Sequence, residues 1–322
     1  MSLISIITPT HKPGPLMEIT IKSVLEQTYT DWEWVVLDNS SDFYFESYLY
    51  QFLDRNPQYK HLLHKVKIFK QHYNEVNIGH LKNECVKLTS CKDNEYVLLL
   101  DHDDFLDTNT LYEIHKMSVK YPESDYITGD VIKLQYNNEN NTIYSFSYTH
   151  FRDKSSNYTK FLSGDINIPF CNICIENVND YGMRYFQPDT MEWINQICNQ
   201  NFTHLGYSLF GHPRCIKKNI LKYNTYKFFE GHEISEDSVQ LFFITYFLKG
   251  CYIEKQLYYN IHYLSNSNSS YMPVTDLCRE NYAIIISYIK TLEEYILKLY
   301  PNYNLFDNFL NKHELNIIEN DN

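Results

Sequence analysis

Residues 96 to 104 read Tyr96-Val97-Leu98-Leu99-Leu100-Asp101-His102-Asp103-Asp104, an apolar run that ends abruptly in acid. A short continuous apolar run of this kind suits a strand buried on both faces of a parallel sheet. The sequence before it repeats one pattern. Leu3 to Ile7 is a short run rich in branched residues, and from Pro15 a helical stretch carries Leu16, Ile19, Val24 and Leu25 near helical spacing. Trp32 to Leu37 reads as a second strand, stopped by the turn formers Asp38-Asn39-Ser40-Ser41-Asp42, with an aromatic helical segment following through Leu53. Lys65 to Lys70 alternates as a third strand, and Gly79 opens a helix carrying Leu81, Cys85, Val86 and Leu88. Strands alternating with helices over this length imply a doubly wound α/β sheet, whose ligands bind beyond the carboxyl ends of the strands. The acidic cluster lies at such an end.

Past the cluster a helix is expected from Thr108 to about Lys120. An extended stretch at Tyr126 to Gln135, an Asn-rich turn at Asn137 to Asn141 and a returning strand at Thr142 to Ser147 then form a hairpin. Signals are mixed from 150 to 215. A short helix is expected near Ser235, and Ser265 to Ser270 is a polar loop. From Asp276 to Tyr300, Leu277, Ile284, Ile285, Ile289, Leu292 and Ile296 give a C-terminal helix with an apolar stripe, a surface for covering a site or for self-association.

The formal charge of -12 argues against a nucleic-acid binder, which needs a basic surface to displace counterions from phosphates. A phosphate-bearing ligand must therefore be held locally, by a bound cation, a few Lys or Arg side chains, or backbone N–H groups. No apolar run approaches the roughly 20 residues that span a bilayer, so a cytoplasmic protein is expected. Of the eight cysteines only Cys171 and Cys174 form a C-x-x-C pair, and reduced thiols are expected.

Asp101, Asp103 and Asp104 repel one another if gathered at a buried sheet edge, unless a cation is present, and carboxylate oxygens favour Mg²⁺ or Mn²⁺. A solvated turn or a helix cap is the plainer alternative. An EF-hand loop starting at Asp101 is excluded, because Leu106 stands where that loop needs Gly and Tyr112 where it needs Glu. Neither G-x-G-x-x-G nor a P-loop motif occurs among the nine glycines, which disfavours dinucleotide enzymes and P-loop ATPases.

Ile4-Ser5-Ile6-Ile7-Thr8-Pro9-Thr10, then Ser23-Val24-Leu25-Glu26-Gln27-Thr28-Tyr29, then Trp34-Val35-Val36-Leu37-Asp38-Asn39-Ser40-Ser41-Asp42 resemble the opening of family 2 glycosyltransferases. The likeness continues through Asn77-Ile78-Gly79, Leu81-Lys82-Asn83 and the run ending in Asp101-His102-Asp103-Asp104. Gly211-His212-Pro213 with Ile216-Lys217-Lys218 resembles the family's acceptor-side strand, and Ser235-Glu236-Asp237 the acidic pair that includes its base. The resemblance implies a GT-A fold, a doubly wound mixed sheet flanked by helices, over residues 1–265. Within it, 1–110 would be the nucleotide-sugar half and 111–265 the acceptor half, with 266–322 a helical extension.

By this resemblance Thr8, Pro9 and Thr10 border the nucleotide, Asp38 beside Asn39 contacts its base, and Asp101 and Asp103, flanking His102, are a D-x-D that holds Mn²⁺ or Mg²⁺ against the diphosphate. The family usually has two acidic residues where this chain has Asp38-Asn39, and Arg where it has Lys82; Lys82 meets a phosphate as a point charge, not bidentately. His262 stands where family members often have a histidine near the pyrophosphate or metal, with a core histidine as the alternative. Tyr185, Phe186 and Trp193 are candidates for stacking on a sugar ring, though core packing accounts for them as well. The implied reaction is an inverting transfer from a nucleotide-sugar, most readily a UDP-sugar, to an unidentified acceptor hydroxyl, with Asp237 in preference to Glu236 as base. Two other classes stay open: a nucleotide-sugar or glycan binder of the same fold without catalysis, and a sugar nucleotidyltransferase, which wants a Gly-rich loop after the first strand where this chain has only Gly14.

Overall fold

The computed structural model describes residues 2–42, 44–71, 77–137, 142–148, 172–173, 214–222, 228 and 250–263. Strand β1 (Ile4–Thr10) leads to helix α1 (Met17–Leu25), and β2 (Trp32–Asp38) to α2 (Tyr44–Arg55). After a 3-10 stretch at Pro57–Lys65 come β3 (Val66–Lys70), α3 (Ile78–Leu88) and β4 (Tyr96–Leu99). The strands and α-helices among these lie where the hydrophobic pattern puts them, whereas the 3-10 stretch carried no such signal. Then follow the two-residue β5 (Phe105–Leu106), α4 (Thr110–Lys120), the hairpin β6 (Tyr126–Asn137) and β7 (Thr142–Tyr148), β8 (Asn172–Ile173), β9 (Arg214–Lys217) and β10 (Gly250–Tyr263). The helices expected near Ser235 and at Asp276 to Tyr300, and the extension 266–322, lie outside the described residues.

The strands of the described residues share one sheet, whose main path runs β3-β2-β1-β4-β9-β6-β10-β5, with β7 and β8 branching from β6. Strands β3, β2, β1 and β4 are mutually parallel. This is the doubly wound half, in which the direction of winding reverses between β1 and β4 and opens a crevice at their carboxyl ends. Beyond it β9 lies antiparallel to both β4 and β6, β10 is parallel to β6, and β5 is antiparallel to β10. The sequence division at residue 110 is therefore not a division of the sheet, because β9 and β10 complete it.

Alternation along the strands feeds two cores. Ile4, Ile6, Trp34, Val36, Leu98 and Leu100 pack with α1, α2 and α4 on one face, while Ile7, Val35, Leu37, Val97 and Leu99 pack with Leu81, Cys85 and Val86 of α3 on the other. Burial of both faces explains the unbroken apolar runs. The described cysteines Cys85, Cys91 and Cys215 are buried free thiols, whereas Cys171 and Cys174 lie outside the described residues.

Two local devices shape the sheet. Near its amino end, buried Glu33 accepts hydrogen bonds from the Ser5 hydroxyl, the Lys67 ammonium and the Ser90 N–H. Burial opposes the charge, but these donors outweigh it and hold the Glu33 carboxyl below its ordinary value. Between β6 and β10 the register shifts after the Gly129–Ile253 pair. A Cβ on Gly129 would fall 2.5 Å from Leu257 Cδ1 and 3.0 Å from the Ile253 carbonyl oxygen, so the strands meet closely only because this residue has none.

Candidate active site

The carboxyl ends of β1, β2 and β3 are level, with Thr10 opposite Asp38 and Asp38 opposite Lys70. Loops at this edge are stitched together. The Asn39 N–H donates to the Thr10 carbonyl at 2.9 Å, the Lys12 N–H donates to Ser40 Oγ at 2.7 Å, and His11 Nδ1 is 3.1 Å from the Asn39 carbonyl oxygen. Lys12 takes a left-handed φ of 48°, uncommon for a residue with a Cβ. The chain thus turns sharply off β1 just above the crevice.

The residues expected beside the nucleotide separate into distinct settings. Thr8 is fully buried and its Oγ1 accepts from Trp34 Nε1 at 2.9 Å, so its hydroxyl belongs to the core. Pro9 is buried as well, and Thr10 is buried with its Oγ1 unpartnered at the strand end. Asp38 is also buried: Oδ1 accepts from the Ser40 N–H at 2.9 Å and Oδ2 from the Phe45 N–H at 3.0 Å, which ties the turn to the start of α2. A carboxylate has about four acceptor positions, so these bonds leave Asp38 able to receive a further N–H.

The acidic cluster resolves into two kinds of carboxylate. Asp101, His102 and Asp103 are half-buried, and the Asp104 N–H closes a turn onto the Asp101 carbonyl at 3.1 Å. Asp104 is buried beneath that turn. Its Oδ2 accepts from the Tyr258 hydroxyl at 2.8 Å and Asn260 Nδ2 at 2.9 Å, and its Oδ1 from the Ile261 N–H at 2.8 Å. From the opposite side Thr20 Oγ1 donates to the carbonyls of His102, at 2.9 Å, and Asp104, at 2.7 Å.

Lys82 in the first turns of α3 brings its ammonium within 3.6 Å of Asp101 Oδ1, with 3% of the lysine side chain and 29% of the aspartate side chain exposed. Asn77 caps this helix, its Oδ1 accepting from the His80 N–H at 3.1 Å. The Phe228 ring lies 5.6 Å from the ammonium, and Asn83 fixes Phe228 by donating to its carbonyl at 2.8 Å and accepting from its N–H at 3.0 Å. Burial works against charge on Asp101, but Lys82, then Arg214 and His102, overcome it and hold this carboxyl below the usual range. Asp103 goes the other way, pushed up by burial and by the Asp101 charge against the opposing His102 imidazole. Asp104 is pushed well up by burial, Asp103 and Asp101.

Among the described residues no group of three or more His, Cys, Asp and Glu side chains is arranged to hold a metal. Among the described residues Asp101 and Asp103, half-buried at the end of β4, are the hard-oxygen pair of this turn. That set fits an ion of the Mg²⁺ or Mn²⁺ type, which is held through one or two carboxylates and completes its shell with phosphate and water. It does not fit a closed all-protein cage. His262 lies in β10 opposite Gln135, its side chain outside the described set, and Glu236, Asp237, Tyr185, Phe186 and Trp193 also fall outside the described residues.

Several site residues escaped the sequence reading. Arg214, buried at the start of β9 opposite Leu99, adds a cation beside Asp101; the signal was its place just before the apolar pair Cys215-Ile216. Tyr258 and Asn260 had no such signal, since tyrosine occurs 30 times in the chain.

Residues 5–179, more than half of the chain, match the family model described as Glycosyl transferase family 2. Poly(ribitol-phosphate) beta-N-acetylglucosaminyltransferase TarP of Staphylococcus aureus is 32% identical over 131 residues, covering 40% of this chain and 36% of TarP. Uncharacterized protein y4gI of Sinorhizobium fredii is 28% identical over 134 residues, covering 41% of this chain and 14% of that protein. The chain thus spans well under two thirds of either relative. Among solved structures, S. aureus TarS 1-349 in complex with UDP-GlcNAc superposes with a TM-score of 0.56 at 16% identity, covering 97% of this chain and 72% of that one. At that identity the likeness is one of fold, a GT-A fold. No helix of the described residues is long and apolar enough to cross a membrane.

Proposed function

Since the chain belongs to glycosyl transferase family 2, we propose that it is an inverting, metal-assisted transferase that moves a sugar from a UDP-sugar to an acceptor hydroxyl. The observation that carries the reading is the meeting of Thr10, Asp38, Lys82, Asp101 and Asp103 at the carboxyl edge of β1, β2 and β4. This is where a doubly wound sheet binds its ligands. The likeness to TarP, an N-acetylglucosaminyltransferase, supports UDP-GlcNAc as the first donor to try.

In this reading Asp38 receives an N–H of the base, and Lys82 and Arg214 supply positive charge near the diphosphate. Asp101 and Asp103 hold the cation, which when bound neutralises charge on the departing nucleotide. Phe228 covers the Lys82 ammonium and limits water there, which strengthens its attraction for phosphate. Asp237, with Glu236 beside it, is the proposed base: it takes the proton from the acceptor hydroxyl as the new bond forms on the side opposite the leaving group, and so inverts the anomeric centre. His262 is proposed to stand near the metal. In our proposal the transferase acts in the cytoplasm, and the C-terminal extension either covers the site or pairs with a second copy.

The test needs no acceptor. Incubating the protein with a panel of UDP- and GDP-sugars, with Mn²⁺ or with a chelator, should release free UDP from one UDP-sugar by slow hydrolysis, only with metal present. Absence of both nucleotide binding and nucleotide release across the panel would sink the proposal.

A further inference from the structure

The acidic turn is held in place by a strand far away in sequence. Tyr258 of β10 is fully buried, and its hydroxyl makes two bonds to the turn. It accepts from the Asp101 N–H at 3.3 Å and donates to Asp104 Oδ2 at 2.8 Å. A single oxygen therefore bridges the first and last residues of the turn that presents Asp101 and Asp103. Asn260 and the Ile261 N–H occupy the remaining face of Asp104, at 2.9 and 2.8 Å. Thr20 fixes the backbone from the α1 side through the His102 and Asp104 carbonyls. Asp104, with three donors directed at its two oxygens, is spent on this framework.

We infer that Asp104 and Tyr258 are positioning residues that set the separation and direction of the Asp101 and Asp103 carboxylates, with Tyr258 as the link between the turn and β10. The inference rests on the reading above that Asp101 and Asp103 hold the metal. Its physical basis is geometric. A metal that takes two protein oxygens at about 2.0 to 2.2 Å is intolerant of ligand displacement, and residues behind metal ligands typically change affinity by about 10- to 100-fold when altered. Removing the Tyr258 hydroxyl leaves the ring, and hence the packing, in place. It releases the Asp101 N–H and takes one donor from Asp104, so the turn loses its tie while the core keeps its volume.

The experiment compares Tyr258→Phe with Tyr96→Phe. Tyr96 donates an equally buried hydroxyl to the Ser124 carbonyl at 2.6 Å, but at the opposite end of β4, so it controls for loss of a buried hydrogen bond as such. Mn²⁺ binding in the presence of UDP is read from the paramagnetic resonance signal of free and bound Mn²⁺. Amide hydrogen exchange is followed over residues 100–106. Tyr258→Phe should weaken Mn²⁺ at least tenfold, change the bound-Mn²⁺ spectrum and speed exchange in the turn; Tyr96→Phe should stay within about twofold of wild type on all three. If wild type and Tyr258→Phe bind Mn²⁺ alike with the same spectrum, the positioning role is overturned while the transferase reading stands. If wild type binds no Mn²⁺ with UDP, the metal reading fails and the positioning role fails with it.

Discussion

Replacing Lys82 with Met removes the ammonium but keeps the stem that packs under Phe228. At 3.6 Å from Asp101 Oδ1, the attraction lost is about 4 to 5 kcal/mol at an effective dielectric near 20. Three effects reduce the net figure. The buried ammonium no longer has to be desolvated, Asp101 is 29% exposed and so partly hydrated, and Arg214 remains beside it. A diphosphate oxygen brought as near the ammonium as Asp101 is would lose an attraction of the same size, cut by these effects to about 1 to 3 kcal/mol net, or roughly 5- to 150-fold in affinity at 1.4 kcal/mol per tenfold. Calorimetry with UDP and Mn²⁺ at low and high salt, alongside urea unfolding, measures it. Lys82→Met should bind UDP at least fivefold more weakly, by a margin that narrows as salt rises, while Lys82→Arg retains most of the affinity. Wild-type UDP affinity in Lys82→Met would refute the reasoning, because the ammonium would then serve Asp101 alone.

Asp237→Asn should retain UDP and Mn²⁺ binding and its melting temperature, yet lower sugar transfer at least about a hundredfold; transfer near the wild-type rate removes Asp237 as the base. Asp103→Ala should abolish the metal dependence of UDP binding in calorimetry, and unchanged dependence would take the cluster out of the mechanism. Glu33 has a depressed folded-state pKa, so its stabilisation is present above the unfolded value near 4.5 and is lost as pH falls through the folded value. Glu33→Gln should therefore flatten the acid side of the stability profile and cost about 1 to 3 kcal/mol at pH 7 by leaving buried donors poorly matched, as read by urea titrations across pH. Gly129→Ala drives a methyl against Leu257 and should destabilise by about 1 to 3 kcal/mol; a midpoint equal to wild type would contradict the close approach of β6 and β10.

The part of the chain up to β4 was legible because its strands are buried on both faces and its turns carry their own signals. Asp38 stops β2, and the acids stop the run that begins with Tyr96, so the fold and the proposed ligand edge were visible together. The second half was harder for a definite reason. In β10 register shifts between Ile253 and Gln256 and between Gln256 and Tyr258 interrupt the pairing with β6, and a strand with such irregularities does not keep a clean two-residue alternation in its sequence. Two-residue β5 has too little sequence to carry any period. Asp104 illustrates a limit at the level of chemistry: three neighbouring aspartates read alike, and only contacts with residues 154 to 157 positions away separate the buried, structural one from its two half-buried neighbours.

The place of β9 between β4 and β6 bears on how the chain is made. Synthesis delivers β1 through β4 early, and they can assemble as soon as they emerge, but the far edge of β4 keeps unpaired N–H and C=O groups until residues 100 to 213 have followed and Arg214–Lys217 arrives. A bare apolar edge is a template for another chain, and contacts this distant form slowly. Nascent chains therefore pass through an interval in which one copy can zip onto the next before its own β9 is available. Chains that stop short of Arg214 should collect as aggregates even though their first four strands are intact.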